Sequence, residues 1–151
     1  MNNKSTLFII WTFAGLVTGW KQYALSTVHS HINNFQIFKA SFGHFIHRMP
    51  LYLEYPKEYF DLYLYGPIFA ILMAPFSALS DGPSVILWNV LNSVVLFVTL
   101  WHLPLIKNNR VAITWIVLNS SITALLNTQF HALCLALNLW SYICVEKKYY
   151  F

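Results

Sequence analysis

The sequence predicts an all-α fold: a polytopic transmembrane helical protein with an interfacial amphipathic helix in its first long loop. Three observations predict it. Only 9% of the 151 residues are charged, against about 25% in a soluble domain, so too few charges remain to coat a water-facing surface. Hydrophobic residues make up 58%, with a mean hydropathy of +0.54. These residues also run in long blocks, which a membrane explains better than one oversized core.

The first block, 7–25, reads as a span. Lys4 precedes it and Lys21 can snorkel near its far end. A signal peptide is the rival reading. The apolar run is long for one and no small-x-small cleavage site follows cleanly, so an uncleaved anchor is expected.

Residues 27–66 form the long loop. Its first half is amphipathic. Phe35, Phe38, Phe42, Phe45 and Ile46 recur at helical spacing, while Gln36, Lys39, Gly43, His44 and His47 take the other side. That pattern fits a short helix lying in the membrane interface. The second half is dense in tyrosines and acids, among them Tyr52, Glu54, Tyr55, Glu58, Tyr59, Asp61, Tyr63 and Tyr65. An aromatic belt at headgroup level has this composition.

The stretch 67–79 is apolar but short of the roughly 20 residues a span needs. Pro67 suits a first helical turn and Pro75 should kink the helix. Residues 80–83 read as a turn, 84–103 as a full span and 107–110 as a basic turn. Residues 111–126 and 130–145 read as further helices, broken by Asn127, Thr128 and Gln129. Lys147 and Lys148 mark an exit from the membrane. If all five segments cross from a cytoplasmic N-terminus, Lys107, Arg110, Lys147 and Lys148 fall outside, against the positive-inside bias. If 67–79 is re-entrant, they fall inside. Both arrangements stay open.

The formal net charge of +4 is scattered singly through loops. No basic face or nucleic-acid module accompanies it, so nucleic-acid binding is excluded and membrane lipids are the expected contact. On one helix Cys134 and Cys144 would lie roughly 15 Å apart, too far for a disulfide. They read as small buried hydrophobes.

No phosphate loop, dinucleotide fingerprint, zinc motif or paired-cysteine motif occurs, and no cofactor is implied. His44 and His47 are spaced to share a metal. With no third ligand nearby, interfacial polar residues are preferred and no metal site is assigned; His29 and His31 read the same way. The loop acids Glu54, Glu58 and Asp61 are the groups able to serve as a general base; solvated loop charge is the competing reading. Asn89, Asn92, Asn127, Gln129 and His131 lie within or between apolar segments. They either bond helices together or line a site.

The run Tyr63-Leu64-Tyr65-Gly66-Pro67-Ile68-Phe69-Ala70-Ile71-Leu72-Met73-Ala74-Pro75-Phe76-Ser77-Ala78-Leu79 resembles a signature of glycosyltransferase family 87, Tyr-x-Tyr-Pro-Pro-x-Phe-Ala-Leu-Leu-x-Ala-Pro-Phe-Ala-x-Leu-Pro. Upstream, Asn34-Phe35-Gln36-Ile37-Phe38-Lys39-Ala40 sits where the family has Asp-Phe-x-x-Phe/Tyr-x-Ala, and Leu51-Tyr52 matches its Leu-Tyr. Downstream, Leu87-Trp88-Asn89-Val90-Leu91-Asn92 matches Leu-Trp-x-Leu-x-Asn, and Thr128-Gln129-Phe130-His131 resembles Gly-Gln-x-Asn. The order and spacing agree over nearly the whole chain.

The resemblance implies a polytopic GT-C enzyme of the bacterial cytoplasmic membrane. Such an enzyme transfers a sugar, typically mannose, from a polyprenyl-phosphate donor to a lipid or glycan acceptor at the outer face. A loop carboxylate deprotonates the acceptor. The family's base falls on Asn34, whose amide cannot take a proton, so Asp61 or Glu58 is the expected substitute. Lys39, Arg48 and Lys57 become candidate phosphate partners, and Tyr65 and Gln129 candidate substrate contacts. Gly66 replaces the first proline of the signature, and only Gln129 of Gly-Gln-x-Asn is kept. The family carries more helices, so residues 1–151 read as one transmembrane domain, the N-terminal portion of a longer module. The rival classes are a non-catalytic scaffold or lipid-binding relative and a small transporter.

Overall fold

The computed structural model describes residues 3–26 and 31–146. His29, Lys147 and Lys148 lie outside the described residues. Among those described there are seven α-helices and no strand: α1 Asn3–Leu25, α2 Asn33–Ile46, α3 Pro67–Leu72, α4 Ala74–Ser77, α5 Asp81–His102, α6 Lys107–Leu126 and α7 His131–Glu146. The all-α class stands. One of these helices, α5, is both long and apolar enough to cross a membrane. Polar residues dilute α1 (Asn3, Lys4, Lys21, Gln22) and α6 (Lys107, Asn108, Asn109, Arg110). Helix α7 is apolar but has 16 residues, or about 24 Å of rise.

Two expected turns prove helical. Residues 81–83 are the first turn of α5, because Pro83 falls where an N–H has no intrahelical partner anyway; Ser80 precedes them in extended conformation. Residues 107–110 are the first turn of α6. The stretch 67–79 breaks at Met73, where α3 ends and α4 restarts with Pro75 in its first turn. A proline cannot donate to the preceding turn.

Helices α1 and α5 pack antiparallel through Gly15 and Gly19. A Cβ at Gly15 would lie 2.8 Å from the Val90 Cα, and one at Gly19 2.7 Å from the Ile86 Cα. The backbones therefore touch, and no larger residue fits at this distance. The Ser93 hydroxyl reaches across to the Trp11 carbonyl at 2.6 Å. Helices α6 and α7 form a hairpin against α5. Its turn lies level with Trp88–Asn92, and its far end brings Trp140 within 5.8 Å of His102.

Segments α2 to α4 and the loop 47–66 cover one end of this bundle, here called the cap end. The N-terminus of α1, the α5–α6 connection and the C-terminus of α7 share the opposite, open end. The buried core is correspondingly in two parts. Phe35, Phe38, Tyr63, Phe76 and Trp88 pack under the cap, and Leu7, Trp11, Leu96, Phe97, Ala136 and Ile143 line the helix bundle.

Helix α2 forms where expected, but its faces differ. Ile37, Ser41 and His44 turn inward with Phe35 and Phe38, whereas Phe45 and Ile46 are exposed. The last turn rolls this way because His44 finds partners in the loop.

Candidate functional site

Helix α2 separates the sequence-derived candidates into two groups. Ten residues divide Asn34 from His44, about 15 Å of helical rise.

At the C-terminal end of α2, the His44 Nε2 lies 3.0 Å from the Glu58 Oε2. A carboxylate only accepts, so Nε2 carries the proton and donates. The imidazole is buried beneath the Tyr55 ring, with centroids 3.9 Å apart. Its Nδ1 is buried without a hydrogen-bond partner. The Glu58 side chain is about half exposed and opens onto a groove of about 460 Å3. Lys39, His47 and Asp81 line the same groove. The Lys39 Nζ donates to the Asp81 carboxylate at 2.7 Å and to the Leu79 carbonyl at 2.6 Å, so it also closes the end of the α4 segment. Asp81 as the partner of Lys39 was not anticipated. The two are 42 residues apart and nothing local connects them.

Tyr59 is buried beside this pair and its hydroxyl has no hydrogen-bond partner. Burial, then the Glu58 charge, pushes its phenol up to about 12. Arg48 and Lys57 are exposed on the adjoining loop.

At the N-terminal end of α2, Asn33 grips the loop. Its Nδ2 donates to the Phe60 carbonyl, and its Oδ1 accepts from the Phe60 N–H, both at 2.7 Å. This clamp fixes Phe60, the residue before Asp61, against the residue before Asn34. The Asn34 Nδ2 donates 2.9 Å to the Asn127 carbonyl, which ties α2 to the α6–α7 turn carrying Gln129. Tyr65 packs edge-on against Phe130 at 4.9 Å. Burial, with the Asp61 charge, raises its phenol above the ordinary value.

Three non-glycine residues among those described have positive φ: Arg48 (57°), Asp61 (82°) and Thr128 (51°). Two of these end helices. At Arg48 the N–H bonds to the Phe45 carbonyl and the Met49 N–H to that of His44. At Thr128 the N–H bonds to the Leu125 carbonyl and the Gln129 N–H to that of Ala124. Both are Schellman stops, which need a left-handed residue after the cap. Asp61 ends no helix. Its Oδ1 accepts from the Leu62 N–H at 2.8 Å, and its strain is held by the clamp at Phe60.

The asparagines of α5 are structural. Asn89 donates to the Leu125 carbonyl and Trp88 to that of Thr128, so both satisfy the end of α6. Asn92 accepts from the Leu133 N–H at 3.3 Å, in the first turn of α7. A broken helix pair inside apolar surroundings needs such partners. Asn89 and Asn92 thus bond α5 to α6 and α7.

Sequence reasoning overlooked Gly15-Leu16-Val17-Thr18-Gly19, although a small-xxx-small pattern in an apolar run is a recognisable packing signal. It named both His44 and Glu58 without pairing them. Glu54 is exposed. No cluster of three or more metal-binding side chains occurs among the described residues.

The model of glycosyltransferase family 87 matches residues 63–151, more than half of the chain. Tyr65 and Gln129 fall inside that stretch; Asn34, Lys39, Arg48, Lys57, Glu58 and Asp61 precede it. No curated protein and no solved structure matches.

Proposed function

The chain belongs to glycosyltransferase family 87, a family of membrane glycosyltransferases, and on that premise we propose that it is the N-terminal, substrate-engaging part of a polytopic transferase. It uses a polyprenyl-phosphate sugar and a lipid or glycan acceptor at the outer face of the bacterial cytoplasmic membrane. The sugar is mannose or a related hexose or pentose. The observation that carries the site is the 3.0 Å contact of Glu58 with His44 at the edge of an open groove.

In this reading Glu58 is the general base. His44, locked by Tyr55, aims one carboxylate oxygen and leaves the other for the acceptor hydroxyl. The hydroxyl oxygen forms a bond to the anomeric carbon as the carbon–phosphate oxygen bond breaks. The proton passes to Glu58, and the polyprenyl phosphate leaves with the electron pair. Arg48 and Lys57 on the same loop, with His47 in the groove, attract the phosphate. Lys39 serves chiefly to hold Asp81. Tyr65 and Gln129 contact substrate from the other end of α2.

Lys4, Lys107 and Arg110 share the open end, and α3 and α4, of six and four residues, are too short to cross. Lys21, Lys39, Arg48 and Lys57 lie at the cap end, so the charges of the described residues do not set the orientation. It is taken from the proposed outer-face transfer, with α1, α5, α6 and α7 crossing and the open end cytoplasmic. The cap then faces outward, with α2 in the interface.

A second reading makes Asp61 the base, favoured by its strained backbone and its place next to Phe60, which Asn33 holds. Sugar transfer by Glu58→Gln and Asp61→Asn in membranes decides between them. Loss in the first alone supports Glu58, and loss in the second alone supports Asp61. Full activity in both rules out either carboxylate as the base, and no transfer by the parent chain leaves the non-catalytic relative.

A further inference from the structure

At the open end, away from every residue assigned to substrate, α1 and α5 enclose a second groove of about 590 Å3. Its walls are Phe8, Ile9, Val98 and Trp101, and its mouth carries Lys4 and His102. No acidic residue lines it. Phe8 and Ile9 are partly exposed, so the groove opens sideways along the helices as well as at its mouth. Its volume is within the range of small-ligand sites.

We propose that this groove holds one anionic phospholipid, with its phosphate at Lys4 and His102 and an acyl chain along Phe8, Ile9 and Val98. Charge and shape together support it. An acyl chain suits the apolar walls, and the two basic side chains at the mouth suit a negatively charged headgroup. The His102 imidazole is oriented for this role. Its Nδ1 lies 2.7 Å from the Val98 carbonyl and donates to it, so in the protonated imidazole the Nε2–H is the donor left for a phosphate. Trp101 lies under the Arg110 guanidinium at 5.7 Å, so its indole is fixed as one wall. The inference rests on the proposed membrane placement, in which this end meets the cytoplasmic leaflet, where anionic lipids attract basic residues.

The test is native mass spectrometry of the delipidated full chain, given phosphatidylglycerol or phosphatidylcholine with matched acyl chains. One phosphatidylglycerol should be retained in preference to phosphatidylcholine. The Lys4→Gln/His102→Gln double variant should lose about fivefold of that preference or more. Val98→Trp, which fills the groove, should weaken retention of both lipids. Lys107→Gln, at the same end but outside the groove, should leave the preference unchanged. Equal retention of the two lipids by the native chain overturns the proposal. So does a preference that survives in the double variant, or one lost equally in Lys107→Gln, which would mark a diffuse surface field. Sugar transfer measured on the same variants separates the two proposals, since neither Lys4 nor His102 belongs to the transfer site.

Discussion

The Asn34 carboxamide donates its 2.9 Å hydrogen bond to a carbonyl at the end of α6, that of Asn127. It thereby occupies, as a structural tie, the position where the family resemblance places a base. An aspartate there could not donate. Asn34→Asp should lower the thermal midpoint. The lost bond costs about 1 kcal/mol or more, and a carboxylate near the N-terminus of α2 returns only part of that. A midpoint equal to or above that of the parent would show that the tie is unimportant.

Thr128 sits at φ 51° with a buried, unpartnered hydroxyl. A left-handed conformation costs an L-residue about 1–2 kcal/mol, more than the entropy a glycine loses on ordering. Thr128→Gly should therefore raise stability by about 0.5–1 kcal/mol. Denaturant unfolding in detergent reads this directly, and a loss would contradict the strain argument.

Two glycine substitutions should act with opposite signs. Gly19→Ala places a Cβ against the Ile86 backbone and should cost about 1–3 kcal/mol by forcing α1 and α5 apart. Gly43→Ala meets nothing within 4 Å and should stabilise α2 by about 0.5–1 kcal/mol. Thermal melts of both variants side by side check the contrast.

Tyr59 and Tyr63 are both held neutral by burial, with their phenols pushed up to about 12. Their unfolded value is near 10.0. Because the folded value is the higher one, this contribution to stability is fully present below pH 10 and is lost as pH rises toward 12. Absorbance titration at alkaline pH should show late-ionising tyrosines that become ordinary in Tyr59→Phe/Tyr63→Phe. Uniform ionisation near pH 10 in the parent chain would refute the burial.

Glu58→Gln should reduce sugar transfer by on the order of 10²–10⁴, the usual contribution of a general base. His44→Gln should reduce it less, because the base remains but loses its orienting donor. Asp61→Asn should leave most activity. Lys39→Gln should lower the melting temperature with little change in substrate KM, since its ammonium is committed to Asp81 and Leu79. A raised KM without destabilisation would return Lys39 to the substrate contacts.

Local signals determined much of this protein from sequence alone. Long apolar blocks with few charges fix the helical class, and the apolar spacing of 33–47 places α2. Pro67 and Pro75 mark where α3 starts and why it cannot run on. Motif order along the chain identified the family, because such motifs are read residue by residue. Tertiary structure alone decided the rest. Glu58 meets His44, Asn34 meets Asn127, and Lys39 meets Asp81 only once α2 is docked between the loop and the bundle. Helix periodicity says which residues share a face but not which way that face turns. The roll of α2 that buries His44 and exposes Phe45 is set by Tyr55 and Glu58 in the loop beyond the helix, since a buried imidazole must find its hydrogen bond wherever the fold supplies one.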